Sequence, residues 1–240
     1  MLAFLREQIF AGSLRPGDRL MPERELSLQL GVSRPVVREA LRALAMIGAV
    51  EMLHGVGTIV RRADVSVLGE FFAFALVQRA DMIDDVMQAR IAIECQVIRL
   101  ACERAEIADI ERLQRALQRI HATIDDPEAG ATADCDFHAA LVRAAQSDTL
   151  LCVHQAMAEP LRRCHRERRE LVRCHSEIKD YVAQDHARIF DAVLAKEPQA
   201  AEDVLRRHFV IGDAYRHRAA LAAARPLSDD GSGTDGRKRA

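Results

Sequence analysis

Apolar positions recur at helical spacing in three short segments at the start of the chain, then give way to two short β-prone runs. Leu2 to Ala11 reads as a first helix closed by Gly12. "RPGD" (Arg15 to Asp18) reads as a turn whose proline and glycine preset the backbone. A second helix, "PERELSLQL", starts at Pro22, where the missing proline N–H is no loss, and "GVS" ends it. Ser33 is placed to cap a third helix from Arg34 to about Met46, with Val36, Val37, Leu41 and Leu44 as its inward stripe. "AVEML" and "TIVRR" then flank "HGVG", where Gly55 and Gly57 permit a tight hairpin.

From about Asp64 the pattern is helical to about residue 224. Breaks fall near Arg79 to Asp81, Ala105 to Asp109, Asp125 to Ala131, Ser147 and Asp148, Cys174 to Ser176, and Lys196 to Pro198. They delimit about seven helices joined by short loops, the signature of an antiparallel bundle. The expected fold is mainly α, with a winged helix-turn-helix of three helices plus a β-hairpin over 1–63 and an all-α bundle over 64–224. The Gly-, Ser- and Asp-rich stretch 225–240 is expected to be a disordered tail.

Composition narrows the class. Of the 240 residues, 49% are hydrophobic and 29% charged, the balance of a globular protein rather than a disordered or fibrous one. No apolar run reaches membrane-spanning length, and "MLAFLREQIF" meets Arg6 and Glu7 too early for a signal peptide, so a cytoplasmic protein without a membrane partner is expected. The six cysteines form no CxxC pair and read as small, reduced, buried thiols. The net charge is −2, but residues 1–62 carry nine arginines against six acidic residues. A basic head on an acidic body suits an anion-binding module joined to something else.

Helix, short turn, helix and hairpin, in that order, form a module whose third helix enters the DNA major groove while its wing lies along the adjacent groove or backbone. Arg34 and Arg38, four apart at the start of that helix, face the duplex together, and an arginine can grip guanine O6 and N7 with two parallel bonds. Ser33, at the helix N-terminus, suits a phosphate. His54 and Gly55 occupy the wing tip. A solvated arginine face is the plainer alternative for Arg34 and Arg38 alone. "PGDRL", "ERELS", "GVSRPVVREALRAL" and "HGVGTIV" together resemble the DNA-binding domain of GntR-family bacterial transcription regulators. That resemblance implies DNA contacts at Arg24, Ser33, Arg34, Arg38, His54 and Gly55.

In the body, "DCDFH" places Asp134 and His138 one helical turn apart on a face that continues into Leu141 and Ala145. His186 lies between Val182 and Ile189, and His208 between Val204 and Ile211. One carboxylate and three imidazoles thus sit on inward stripes of three helices, and burying them unpartnered would cost several kcal/mol. One divalent cation would satisfy all four; three nitrogens and one oxygen suit Zn(II) or Ni(II). His121, His154, His165, His175 and His217 read as ordinary hydrogen-bonded residues. Arg90 interrupts the apolar series Ile83, Val86, Ile93, Val97, Leu100, and needs an anion: either Glu94 or an incoming carboxylate.

"MQARIAIE", "DCDFHAAL", "DHARIFDAVL" and "AAEDVLRRHF" resemble the FCD ligand-binding domain of the FadR branch of that family. "LGEFFAFALVQRADMIDDVMQAR" is similar to the extra leading helix of its seven-helix version. The resemblance implies metal ligands at Asp134, His138, His186 and His208, and a small organic acid as effector rather than an acyl-CoA. "QSDTLL" departs from the family, which commonly has an asparagine near Asp148. The expected function is a homodimeric repressor on an inverted-repeat operator in double-stranded DNA, released when a carboxylic acid reaches the metal and Arg90. The alternatives are a sensor of the ion itself and a metal-dependent hydrolase. No HExxH and no adjacent His-Asp pair of the phosphohydrolase type supports the latter.

Overall fold

The computed structural model describes residues 2–62, 65–76, 82–172 and 176–223. Its first core gathers Leu5 of α1 (Leu2–Phe10), Leu26 of α2 (Glu23–Leu30), Val37, Leu41 and Leu44 of α3 (Arg34–Met46), and Val50 and Val60 of the strands β1 (Val50–Leu53) and β2 (Gly57–Val60). The i, i+4, i+7 spacing of Val37, Leu41 and Leu44 fixes which side of α3 faces inward. Val36, expected on that stripe, is 50% exposed. One residue is a rotation of about 100° on a helix, enough to move it off the buried face.

α2 stops at Gly31, whose left-handed backbone (φ 64) lets its N–H return to the Ser27 carbonyl. The strands pair antiparallel from Val50↔Val60 to Leu53↔Gly57. At the hairpin turn, Gly55 holds φ +73, a conformation glycine adopts without steric penalty. A third extended piece lies along β2. Arg19 bridges Ile59, Leu20 N–H donates to the Thr58 carbonyl, and Val60 N–H donates to that of Asp18, both at 2.8 Å.

The body contains α4 (Ser66–Leu76), α5 (Met82–Arg104), α6 (Ile107–Ala122), α7 (Pro127–Ala144), α8 (Asp148–Ala156), α9 (Ala158–Val172), α10 (Ser176–Leu194) and α11 (Pro198–Ala223). These are eight helices among the described residues, where about seven were expected. The additional break is at Met157, which no glycine announces, and Pro160 is tolerated because it falls in the first turn of α9. The expected break over Asp125 to Ala131 is narrower. Asp126 caps α7 by accepting from the Glu128 and Ala129 N–H groups, both at 3.0 Å, so Gly130 and Ala131 lie inside the helix. The expected breaks at Arg79 to Asp81 and at Cys174 and His175, and the expected tail 225–240, lie outside the described residues.

α7 packs on α6, α9 and α5, and α11 on α5 and α10. Val97, Ile98, Leu113, Phe137, Leu141, Ile189, Leu205 and Phe209 form the centre of this second core. Cys95, Cys102 and Cys164 are buried as expected. Cys135 is half-buried, its thiol pushed up to about 12 by burial. Cys152, against expectation, is exposed, and Cys174 lies outside the described residues. No helix among the described residues is long and apolar enough to cross a membrane.

Candidate DNA-reading face and buried histidine centre

In the head, the fold brings Arg24, Arg34, Arg38, His54 and Gly55 to the walls of one cleft of about 570 Å³ between α3 and the wing. All five are exposed. Arg34 and Arg38 reach it because the buried set on α3 turns the opposite side outward. Ser33 is exposed at the N-cap of α3 with extended backbone, and its hydroxyl makes no capping bond, which leaves it available to a phosphate. Arg38 is already gripped: its Nε and Nη2 lie 3.3 Å from the two carboxylate oxygens of Glu23. That fork fixes the guanidinium plane, and a base must compete with it. Arg19, to which the sequence reading gave no role, also lines the cleft.

In the body, α7 carries Asp134 and His138, α10 carries His186 and α11 carries His208, and all four are buried. Ring nitrogens of the three histidines lie within 4.8 Å of one another. Asp134 joins from one side, its Oδ1 3.5 Å from His138 Nε2 and 3.6 Å from His186 Nε2. His138 and His186 stack edge-on against Phe137, with centroids 5.7 and 5.0 Å away, and this packing fixes their ring planes.

The second ring nitrogens explain how the first are presented. His138 Nδ1 donates to Glu94 Oε2 at 2.5 Å, and His208 Nδ1 to Asp185 Oδ2 at 3.1 Å. A carboxylate only accepts, so each bond puts the proton on Nδ1 and leaves Nε2 as a lone pair, the tautomer a metal ligand needs. His138 Nε2 is buried and has no hydrogen-bond partner among the described residues. Burial and the nearby Arg90 outweigh Glu94 and keep His138 well below the usual histidine range, so it is neutral.

Asp185 did not stand out in the sequence, and Glu94 was expected only as a possible partner of Arg90. Glu94 is fully buried; burial opposes its charge, but Arg90 and His138 prevail and hold its carboxyl well below the ordinary range. Asp134 behaves alike: burial is overridden by His165 and His186, and its pKa falls well below the usual value. For Asp185, burial is offset chiefly by the His208 hydrogen bond, and its pKa is lowered. Among the described residues, Glu94, Asp134 and Asp185 thus set three carboxylates and one guanidinium around the histidines, a donor set that could hold a dication.

Of the two partners expected for Arg90, Glu94 is the one in place. It is 1% exposed; Nε donates to Glu94 Oε1 at 2.7 Å, and Nη1 lies 2.8 Å from His165 Nε2. The guanidinium carbon sits 4.8 Å from the Phe209 ring centre. Nη2 has no hydrogen-bond partner among the described residues. Glu94 therefore serves as the counter-ion of Arg90. His165, read from sequence as an ordinary residue, bridges Arg90 to the centre, because its Nδ1 is 3.2 Å from Asp134 Oδ1. His154 Nε2 lies 3.5 Å from Glu94 Oε1. Both belong to helices whose inward histidines carried no i, i+4 acidic partner to mark them.

With this geometry in hand, the comparisons are unambiguous about family. Residues 2–60 match the model for bacterial regulatory proteins of the gntR family, and residues 85–210 match the FCD domain. The chain is 32% identical over 198 residues to the HTH-type transcriptional regulator LutR of Bacillus subtilis, covering 82% of this chain and 90% of that one. It is 31% identical over 209 residues to the HTH-type transcriptional repressor NanR of Citrobacter rodentium, covering 85% and 79%. A solved structure, Streptococcus agalactiae GntR, superposes with TM-score 0.68 at 22% identity, over 89% of this chain and 97% of that one; this is a likeness of fold.

Proposed function

The chain belongs to the GntR family of bacterial regulatory proteins and is a DNA-binding transcription regulator with an FCD domain, and from that premise we propose that it is a cytoplasmic, homodimeric repressor of the FadR type released by a small carboxylic acid. The family and its relatives are regulators rather than enzymes, so the hydrolase alternative falls away. The observation that carries the effector reading is the convergence of three buried imidazoles within 4.8 Å beside Asp134 and the unsatisfied Nη2 of Arg90.

Asp134, His138, His186 and His208 would hold a divalent ion, zinc or nickel, which supplies positive charge and coordination positions open to a ligand oxygen. Arg90 offers its free edge to the effector carboxylate while Glu94 holds the other edge in place. Glu94 and Asp185 keep His138 and His208 in the ligating tautomer. The operator is an inverted repeat, because two heads related by a two-fold axis read two half-sites. Repression fits the NanR relative, which is a transcriptional repressor by name.

Release requires the acid to prefer one arrangement of head and body; a hundredfold preference corresponds to about 2.7 kcal/mol. The test is DNA binding followed by fluorescence anisotropy while metal and carboxylic acids are added separately. The proposal expects the duplex to dissociate with acid plus metal. Dissociation on metal alone would make the ion the signal, and no response to any acid with the metal bound would remove the effector.

A further inference from the structure

The DNA-reading cleft has a second wall that the recognition helix does not supply. Arg19 stands on the extended piece paired to β2, between two backbone bonds: Val60 N–H to the Asp18 carbonyl and Leu20 N–H to the Thr58 carbonyl, both 2.8 Å. Its side chain lies flat over Gly57. A Cβ at position 57 would come within 2.9 Å of Arg19 Nε and 3.3 Å of Nη2, so the absent side chain makes room for the guanidinium. The residue is exposed and lines the same cleft as Arg24, Arg34 and His54. It has no acidic partner among the described residues, whereas Arg38 is paired with Glu23 and Arg61 with Glu51.

We propose that Arg19 is a further DNA contact of this regulator, a preset phosphate clamp beside the wing. Its position decides the chemistry. Base edges are reached by the helix that enters the major groove, here α3 with Arg34 and Arg38. A side chain fixed to the strand alongside β2 cannot follow that helix inward and instead meets the sugar–phosphate wall next to the wing tip. A planar guanidinium presents two parallel N–H groups, which match two phosphate oxygens. Phosphate contacts fix register and add affinity on any sequence.

The inference rests on the DNA-binding identity of the chain and not on the metal reading. It is tested with the full-length protein, by fluorescence anisotropy over a salt series. The probes are a labelled mixed-sequence duplex and a duplex that the parent protein selects from a random pool. Arg19→Ala is expected to weaken both by the same factor and to reduce the slope of log K against log salt by about 0.9 per bound head, one counterion-releasing contact. Arg19→Lys, which keeps the charge, is expected to restore the slope, and both variants are expected to melt as the parent does. Unchanged affinity and slope in Arg19→Ala overturns the proposal. So does a loss confined to the selected duplex, which would make Arg19 a base reader. A lowered melting temperature with an unchanged slope also overturns it, by reducing Arg19 to a packing partner of Gly57.

Discussion

Replacing Glu94 with glutamine tests the logic of the buried centre more sharply than removing any of the histidines. Glu94 accepts from Arg90 Nε on one oxygen at 2.7 Å and from His138 Nδ1 on the other at 2.5 Å. Glutamine keeps the shape but has one accepting end and one donating end. If its oxygen faces His138, its NH₂ meets the Arg90 N–H and a buried guanidinium loses its counter-ion. If it turns round, its NH₂ meets His138 Nδ1–H, and His138 can escape only by moving the proton to Nε2, which withdraws that lone pair from the centre. Breaking a buried ion pair costs about 3–5 kcal/mol. For a chain of this size that lowers the melting temperature by roughly 6–20 °C. Disturbing the carboxylate behind a ligating histidine weakens metal binding about 10- to 100-fold. The assays are thermal unfolding with chelator present, and zinc competition against a chromophoric chelator. A parent-like melting temperature refutes the buried pair. A lowered melting temperature with parent zinc affinity refutes the tautomer argument and leaves Glu94 only as the counter-ion of Arg90.

Arg38→Ala is expected to weaken the selected duplex by about 1–3 kcal/mol and to relax base preference; a loss equal on all sequences, measured with base-substituted duplexes, would reassign Arg38 to a phosphate. His186→Ala is expected to lower metal content measured by plasma emission while leaving DNA binding intact, and a full metal complement would remove His186 from the ligand set. Arg90→Ala is expected to abolish thermal shifts with a panel of carboxylic acids, and unchanged shifts would leave it purely as the partner of Glu94. Folded His138 lies below the ordinary histidine value of 6.5, so under mild acid the unfolded chain binds more protons than the folded one. Stability of the metal-free protein is therefore expected to decline as pH falls from about 7 toward 5. The contributions of Glu94 and Asp134, whose folded values are depressed, persist to lower pH and are lost only as pH falls through those values. A melting temperature flat across that interval would contradict a neutral, buried His138.

Much of this architecture is legible in the sequence because it rests on periodicity. The spacing of Val37, Leu41 and Leu44 buries one side of α3 and turns Arg34 and Arg38 to the exposed side, while Gly55 marks the wing tip. The i, i+4 pair Asp134 and His138 marks the centre because two polar groups on a buried face demand a reason. What periodicity cannot give is fine angular register and partnership. Val36 looks like part of the stripe but is rotated off it. On α5 the expected series ran through Ile93, yet the buried face runs through Arg90, Glu94 and Val97, and Ile93 is only half-buried. Arg90 and Glu94 are legible as a possible internal pair, but that Glu94 also holds His138 shows only once α7 packs on α5. Arg19 was hidden for a different reason: its importance depends on a glycine that is distant in sequence and brought close only by strand pairing.

The centre also explains why a helical core should tolerate so much polarity. Glu94, Asp134, Asp185 and Arg90 sit with five buried histidines in a volume that apolar side chains could have filled, and replacing such a network with hydrophobic residues commonly leaves a protein as stable or more so. The network is therefore poorly explained as a device for stability alone. If the centre holds an ion, as proposed, that ion stabilises the folded body by RT ln(1 + [L]/Kd). α7, α10 and α11 supply the histidines, while α9 touches them through His165 and packs against α4, the first helix after the wing. On the proposed reading, occupancy of the centre would act on helices that pack against α4, and a core completed by its ligand would make that connection depend on it.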